Sequence, residues 1–294
     1  MQRQVSNQSV TVRPTQTPRP TRHSQRQQRN LTKINIKVPS ENVTAWQLTG
    51  IAFVGSSVVA VDNMNNMLRQ ISLSGSLVMN QTLCLDNPLS LCNVNNPADV
   101  AVTQPELRQI SIVTTEGGLR VKNVIRTHKA YEGIAHLPDG RLVVSCVTGR
   151  ISIDVIEQGG RVLKSFERNH IFRWPRFLSL TSSGNILISD RDQKHLVSLS
   201  LNGQVDWTYS TPSSPWGVAC DQNGKIFLCL DNNTVQILAE NGDVIHEKFV
   251  ASKDGIKTPY AICARPNQVA ITEFGSSLFA PNSSLIYVAT HGLG

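Results

Sequence analysis

Pro175–Ser210 reads PRFLSLTSSGNILISDRDQKHLVSLSLNGQVDWTYS, and Pro215–Val250 reads PWGVACDQNGKIFLCLDNNTVQILAENGDVIHEKFV. The two stretches are one pattern written twice: a proline, a short apolar run, a glycine turn, a second apolar run ending in Asp, a third run, an Asn-Gly pair and a fourth run. Short apolar runs bounded by Gly, Asn and Asp read as strands. Asn202-Gly203 and Asn241-Gly242 add a hairpin signal, because a type I′ turn asks for positive φ at both central residues. Four antiparallel strands in roughly 40 residues cannot bury both faces alone, so each unit stacks on copies of itself as the blade of a propeller.

Weaker copies extend in both directions. Blade one is read from Leu48 to Leu83, blade two from Pro97 (PADVAV, then QISIVTT), blade three from Tyr131, and blade six from PYAICA to SLIYVAT. First strands aligned on Ile51, Val100, Ile134, Leu178, Val218 and Ile262 give spacings of 49, 34, 44, 40 and 44. The expected fold is all-β: a six-bladed propeller of four-stranded antiparallel blades. The last copy lacks a fourth strand. Lys33–Val38, KINIKV, alternates strictly and stands before blade one, so it is expected to pair with the strand around Leu285–Ala289 and close the ring.

The formal net charge of +7 is localised: residues 1–30 hold six of the 28 Lys and Arg and no acid, leaving 22 basic against 21 acidic residues beyond them. The propeller is therefore nearly neutral, and bulk charge is no argument for nucleic acid. Residues 1–30, rich in Gln, Arg, Thr and Pro, are expected to be a disordered linker, with residues 31–294 as the propeller. No apolar run reaches a membrane span or the core of a signal peptide, which predicts a cytoplasmic chain with no membrane contact. The six cysteines show no C-x-x-C spacing; Cys146, Cys220, Cys229 and Cys263 fall in predicted strands as small hydrophobes.

A family resemblance rests on Pro215–Ala219 (P-x-G-V-A), Gly224, Ile226–Asp231 and Asn233–Leu238, with weaker echoes at Gly50–Ala52, Asp62 and Asp190. These residues resemble the NHL repeat. With the INIK strand ahead of blade one, the order over roughly residues 31–290 is similar to the C-terminal propeller of tripartite-motif proteins. The resemblance implies a propeller that recognises a protein or an RNA, as the substrate-recognition module of tripartite-motif ubiquitin ligases does. No cysteine precedes Cys84, so the RING and B-box of that family have no counterpart here and ligase chemistry is not carried over.

Loops entering the first strands gather at one mouth of a propeller's channel. Two residues before each alignment position stand Thr49, Ala98, Glu132, Arg176, Trp216 and Tyr260. Aromatic and Arg side chains dominate binding hot spots, although rings beside Pro215 and Pro259 also suit blade-junction packing. The segment RNHIFRWPRF interleaves Arg168, Arg173 and Arg176 with Phe172, Trp174 and Phe177, the cation and ring mixture of single-stranded RNA binding. Arg191, Lys194 and His195 are expected on the same face. The candidate site is thus Glu132, Arg173, Trp174, Arg176, Arg191, Trp216 and Tyr260.

The leading expectation is a non-catalytic, monomeric recognition propeller for a protein partner, with no cofactor and no metal. Single-stranded RNA is the alternative ligand. A lactonase-like metal hydrolase is the enzymatic alternative: Glu132 sits in an EG pair resembling that of gluconolactonase-type propellers, but no matching Asn and Asp set occupies the other ring positions.

Overall fold

In a computed structural model the described residues are 30–36, 45–73, 81–167, 171–275 and 284–290. They form 24 strands and two short 3-10 turns, with no α-helix among them. Strand β1 is Leu31–Asn35. Blade one holds β2 (Leu48–Val54), β3 (Ser57–Asp62), β4 (Met67–Ser72) and β5 (Gln81–Cys84); blade two holds β6 (Leu91–Asn93), β7 (Asp99–Gln104), β8 (Gln109–Thr114) and β9 (Arg120–Arg126). Blade three comprises β10 (Gly133–His136), β11 (Leu142–Cys146), β12 (Ser152–Ile156) and β13 (Val162–Phe166); blade four, β14 (Pro175–Leu180), β15 (Ile186–Asp190), β16 (His195–Leu199) and β17 (Val205–Ser210). Blade five is β18 (Pro215–Cys220), β19 (Ile226–Leu230), β20 (Thr234–Leu238) and β21 (Val244–Ala251), and blade six is β22 (Pro259–Arg265), β23 (Gln268–Glu273) and β24 (Leu285–Thr290).

Each blade is a four-stranded antiparallel sheet in chain order, and the sixth is completed by β1, giving the order β1-β24-β23-β22. Leu31 faces Ala289, Lys33 faces Tyr287 and Asn35 faces Leu285. The closing strand begins two residues earlier than the alternation suggested; Lys37 and Val38 lie outside the described residues, as does the expected linker up to Arg29. Ile36, just past the strand, is fully buried, which is the inward phase of the Ile34, Ile36 pattern.

Apolar clusters sit between blades, as a stack of half-buried sheets requires. Val59 and Leu68 of blade one meet Val102 and Val113 of blade two; Ala101 and Ile110 meet Ile134 and Val144; Val143 and Ile153 meet Leu178 and Ile188. Phe227 and Val235 of blade five meet Val269 and Ile271 of blade six. The largest cluster joins blades four, five, six and one, and Ile36 belongs to it.

Two alternating devices pin the inner strands. In blades one, three and five the first strand carries a glycine against the next blade: a Cβ on Gly50 would stand 3.1 Å from the Leu91 nitrogen, one on Gly133 2.2 Å from the Arg176 oxygen, and one on Gly217 2.4 Å from the Tyr260 oxygen. From blades two, four and six a hydroxyl reaches the next blade's first-strand region: Thr103 Oγ1 donates to the Glu132 carbonyl (2.9 Å), Ser189 Oγ to the Trp216 carbonyl (2.6 Å) and Thr272 Oγ1 to the Leu48 carbonyl (2.9 Å). The glycine of the G-[VI]-A motif thus marks a close backbone approach around the channel.

Two sequence expectations change. The Asn-Gly turns are not type I′. Gly203 and Gly242 are left-handed (φ 83° and 88°), while Asn202 and Asn241 are absent from the positive-φ residues. Gly203 N bonds Ser200 O and Ser200 N bonds Gln204 O, a three-residue turn with a glycine bulge that needs only one left-handed residue. In blade two, PADVAV is the second strand; the first is the short Leu91–Asn93, which the polar flank NVNN hid. Leu91 faces Val102 and becomes the alignment position, turning the uneven spacings of 49 and 34 into 40 and 43.

Candidate functional site

In each blade the loop entering the first strand and the turn between the second and third strands share one rim. The repeat's Asp explains how the rim is held. Asp190, fully buried at the end of β15, accepts the backbone N–H groups of Arg173 (2.7 Å), Trp174 (3.0 Å) and Gln193 (3.1 Å). Asp62 does the same in blade one, receiving Gln47 N, Asn65 Nδ2 and Arg69 Nε. Glu273 takes Lys257 N in blade six. A buried carboxylate satisfied by N–H donors fixes the loop that donates them.

Six of the seven predicted residues converge on this rim. Trp216 is the hub: its ring centroid lies 6.1 Å from Trp174, 4.8 Å from Tyr260 and 6.2 Å from Phe274. The Arg191 guanidinium carbon stands 4.6 Å from the Trp174 ring and 4.7 Å from the Trp216 ring, so the two indoles hold it from two sides. Arg176 lies 5.5 Å from Trp174 and 5.9 Å from Tyr260, and its Nε is 3.3 Å from Glu132 Oε2. Such cation–π contacts contribute about 0.5–1 kcal/mol each when exposed and more when desolvated. Two rings and an ion pair also immobilise arginines that would otherwise lose rotamer entropy on binding.

The remaining assignments divide. Arg173 is exposed and its side chain does not join the ring stack. Tyr260 is 1% exposed and belongs to the interblade core, so its ring floors the site from below. Phe172 and Phe177 are buried, at 0% and 9% exposure, and offer no face to a nucleic-acid base; Arg168 lies outside the described residues. Ala98 stands on the opposite rim, where its carbonyl bonds Thr115 N, because it precedes a second strand and not a first. Its place on the mouth is taken by Leu89. Thr49 is buried. Lys194 is exposed in the blade-four turn, and His195 opens β16.

Beside the stack, a cavity of about 390 Å³ is lined by Leu89, Asn87, Glu106, Glu132, Trp174 and Arg176 among others. Its blade-two wall comes from the loop before β6, which a reading of PADVAV as a first strand places elsewhere. Phe274, directly after β23, joins the stack beside Trp216 and Tyr260, and an aromatic following a strand-ending acid is its signal in the sequence. Burial pushes the Glu132 carboxyl above the ordinary carboxylate value, with Arg176 pulling the other way. An acid whose folded-state pKa is raised holds its proton more tightly when folded, so its contribution to stability declines as pH rises from its unfolded value through its folded one. Urea unfolding of wild type and Glu132→Gln between pH 4 and 7 should show wild type losing stability relative to the variant as pH increases; a flat difference would mean the carboxyl titrates as in the unfolded chain.

Among the described residues no three His, Cys, Asp or Glu side chains lie close enough together to hold a metal ion. Burial pushes the thiol of Cys220 up to about 12, and Cys229 and Cys263 are raised for the same reason, as befits strand cysteines acting as hydrophobes. No described helix is long and apolar enough to cross a membrane.

No protein-family model matches the chain. Over 222 residues, 72% of this chain, it is 25% identical to the E3 ubiquitin-protein ligase TRIM56 of Mus musculus, and the match spans 30% of that protein's length. Solved structures on the same fold include virginiamycin B lyase of Staphylococcus aureus (TM-score 0.62, 15% identity, 89% of this chain and 99% of that one). They also include a gluconolactonase of Xanthomonas campestris (TM-score 0.64, 11% identity, 85% and 87%) and the luciferin-regenerating enzyme (TM-score 0.65, 14% identity, 90% and 96%). These neighbours overturn the expectation of a non-catalytic propeller: the fold this chain shares is one on which lyases and lactonases are built. The NHL assignment itself stays a resemblance of the residues quoted above. The chain is a six-bladed β-propeller with sequence similarity to a mouse E3 ubiquitin-protein ligase.

Proposed function

We propose that the rim of blades three to six is a recognition site for a protein partner, with Arg191 and the exposed part of Trp216 as its anchors. The observation that carries this reading is the Arg191 guanidinium lying over the rings of both Trp174 and Trp216, in the corner the two indoles form. A rigid cation framed by aromatic surface is the kind of group that dominates interfaces. The similarity to TRIM56 supports a role in presenting substrates to a ubiquitin ligase. Six unpaired cysteines fit the reducing cytoplasm in which such a partner would be met. The buried Phe172, Phe177 and Tyr260 argue against a row of stacked bases.

The test is affinity capture from a cytoplasmic lysate with wild-type chain, Arg191→Ala and Trp216→Ala, with and without RNase. The expected result is an RNase-resistant protein recovered by wild type and lost from both variants, each binding about 2 kcal/mol or more weaker as hot-spot truncations do. Recovery that RNase abolishes would replace the protein partner with RNA. Loss of melting temperature without loss of binding would make the rings packing only.

A second reading follows from the neighbours and from one residue. Glu132, half-buried at the wall of the 390 Å³ cavity with a raised pKa, has the setting of a general acid or base. Turnover of lactone substrates by wild type, with and without added divalent cations, and its loss in Glu132→Gln would establish a hydrolase.

A further inference from the structure

The same rim carries a second cavity, of about 300 Å³, between blades two and three, where Arg108, His128, Lys129 and Arg150 meet around Thr148 and Gly149. Ala130 and Thr148 line both this cavity and the central one, so the two form a continuous trough. Arg108 ends the 3-10 turn Pro105–Leu107 in a left-handed conformation (φ 48°), and its carbonyl accepts Thr127 N at 2.8 Å, which fastens it to the loop entering blade three. Arg150 comes from the turn between β11 and β12.

The cations are not equal. Lys129 Nζ is committed to Asp154 Oδ2 and Ser152 Oγ, each at 2.9 Å, and Asp154 also receives Tyr131 Oη (2.6 Å) and Ser165 Oγ (2.5 Å). Arg150 pairs with Glu167. Of the neighbouring acids on the trough, Glu132 pairs with Arg176, whereas Glu106 accepts the neutral Asn87 Nδ2 at 2.7 Å, keeps its charge and lines the central cavity rather than this one. Arg108 and His128 are exposed, and among the described residues neither has an ionic partner. Two donors with no carboxylate of their own, backed by two cations already neutralised, leave the cavity a net attraction for one compact anion.

We propose that this cavity is a subsite for the anionic side chain of an acidic protein segment, a carboxylate or a phosphate, whose neighbouring residues run along the trough to Trp174 and Arg191. The subsite rests on the reading of this rim as a recognition face. A peptide is favoured over a polynucleotide because the chain beyond residue 30 carries only 22 basic against 21 acidic residues, too little to track a phosphate backbone. Phe172, Phe177 and Tyr260 are buried and Arg191 lies over the half-buried Trp174 and Trp216, so no row of free ring faces is offered to bases.

Fluorescence anisotropy tests this on the full chain with three probes: a fluorescein-labelled hepta-glutamate, a neutral peptide bearing one phosphoserine, and single-stranded oligouridylate. At least one peptide should bind, with affinity falling as salt is raised. Arg108→Glu should weaken it about tenfold or more, as reversal of a contacting charge does. His128→Ala should also weaken it, and serves if Arg108→Glu lowers the melting temperature. Lys248→Glu, the same charge change on the exposed outer strand β21, should leave it within about twofold. Equal effects of Arg108→Glu and Lys248→Glu would overturn the subsite, as would tighter binding of oligouridylate than of both peptides. The two peptides separate the carboxylate from the phosphate source. Loss of the captured partner in Trp216→Ala but not in Arg108→Glu would sink the subsite and leave the recognition face standing.

Discussion

Deleting residues 1–36 should cost the propeller most of its stability, whereas deleting residues 1–29 should leave its melting temperature nearly unchanged. The longer deletion removes β1 and with it the five-residue register against β24, the Ile36 N to Ser284 O bond (2.9 Å) and the Thr290 N to Asn30 O bond (3.0 Å). It also strips fully buried Ile36 out of the cluster that joins blades six and one. Burying one such side chain contributes about 1.5–3 kcal/mol, and each ladder bond a net of roughly 0.5–1.5 kcal/mol. Several of these together approach the 5–15 kcal/mol or so that a whole domain has to spare. The fall in melting temperature should be on the order of 10 °C or more, or the protein should be insoluble because β24 becomes an open edge. Thermal melts of the two truncations side by side decide the matter. Equal melting would show that the ring closes without β1.

The second large effect is expected from Gly217→Ala and Gly133→Ala. Neither glycine has positive φ, so the cost is steric. A methyl on Gly217 would meet the Tyr260 oxygen at 2.4 Å, the Ile262 nitrogen at 2.9 Å and the Ala261 Cα at 3.0 Å, all backbone of the next blade's inner strand. Backbone cannot rotate aside as a side chain does, so blades five and six must separate. Overpacking of this kind costs roughly 1–3 kcal/mol and sometimes more. Gly133→Ala presses on the Arg176 carbonyl and on Ser145 Oγ in the same way. Because Tyr260 floors the ring stack and Arg176 carries the Glu132 pair, both variants should weaken partner binding along with stability. Gly159→Ala, whose Cβ would find only a Glu157 side-chain oxygen at 3.6 Å, should be close to neutral. Equal urea midpoints for Gly217→Ala and Gly159→Ala would refute the close-approach account.

The amino-acid sequence dictates the architecture, because each strand's pattern is local: alternating or continuous apolar runs between glycine turns, repeated about every 42 residues, leave a propeller as the structure that buries every blade. It also determined the closing strand, since KINIKV has one apolar face and blade six was one strand short. The mouth was legible in part. Glu132, Trp174, Arg176, Trp216 and Tyr260 precede or open first strands, and position in a repeat fixes which rim a residue reaches. Tertiary structure decided what those residues do there. That Arg191 lies over two indoles, that Tyr260 is floor and not surface, and that Phe172 and Phe177 are interior depend on how far each neighbouring blade reaches across the junction, which no local pattern records. Blade two shows the same limit from the other side. Its first strand is three residues long and polar at its end, too weak a signal to outrank PADVAV, and only pairing with β7 shows that Leu89 and not Ala98 faces the mouth. The basic trough escaped the sequence for a related reason: Arg108, His128, Lys129 and Arg150 come from three separate loops, and only the fold shows that Asp154 and Glu167 take Lys129 and Arg150 while Arg108 and His128 keep no ionic partner among the described residues.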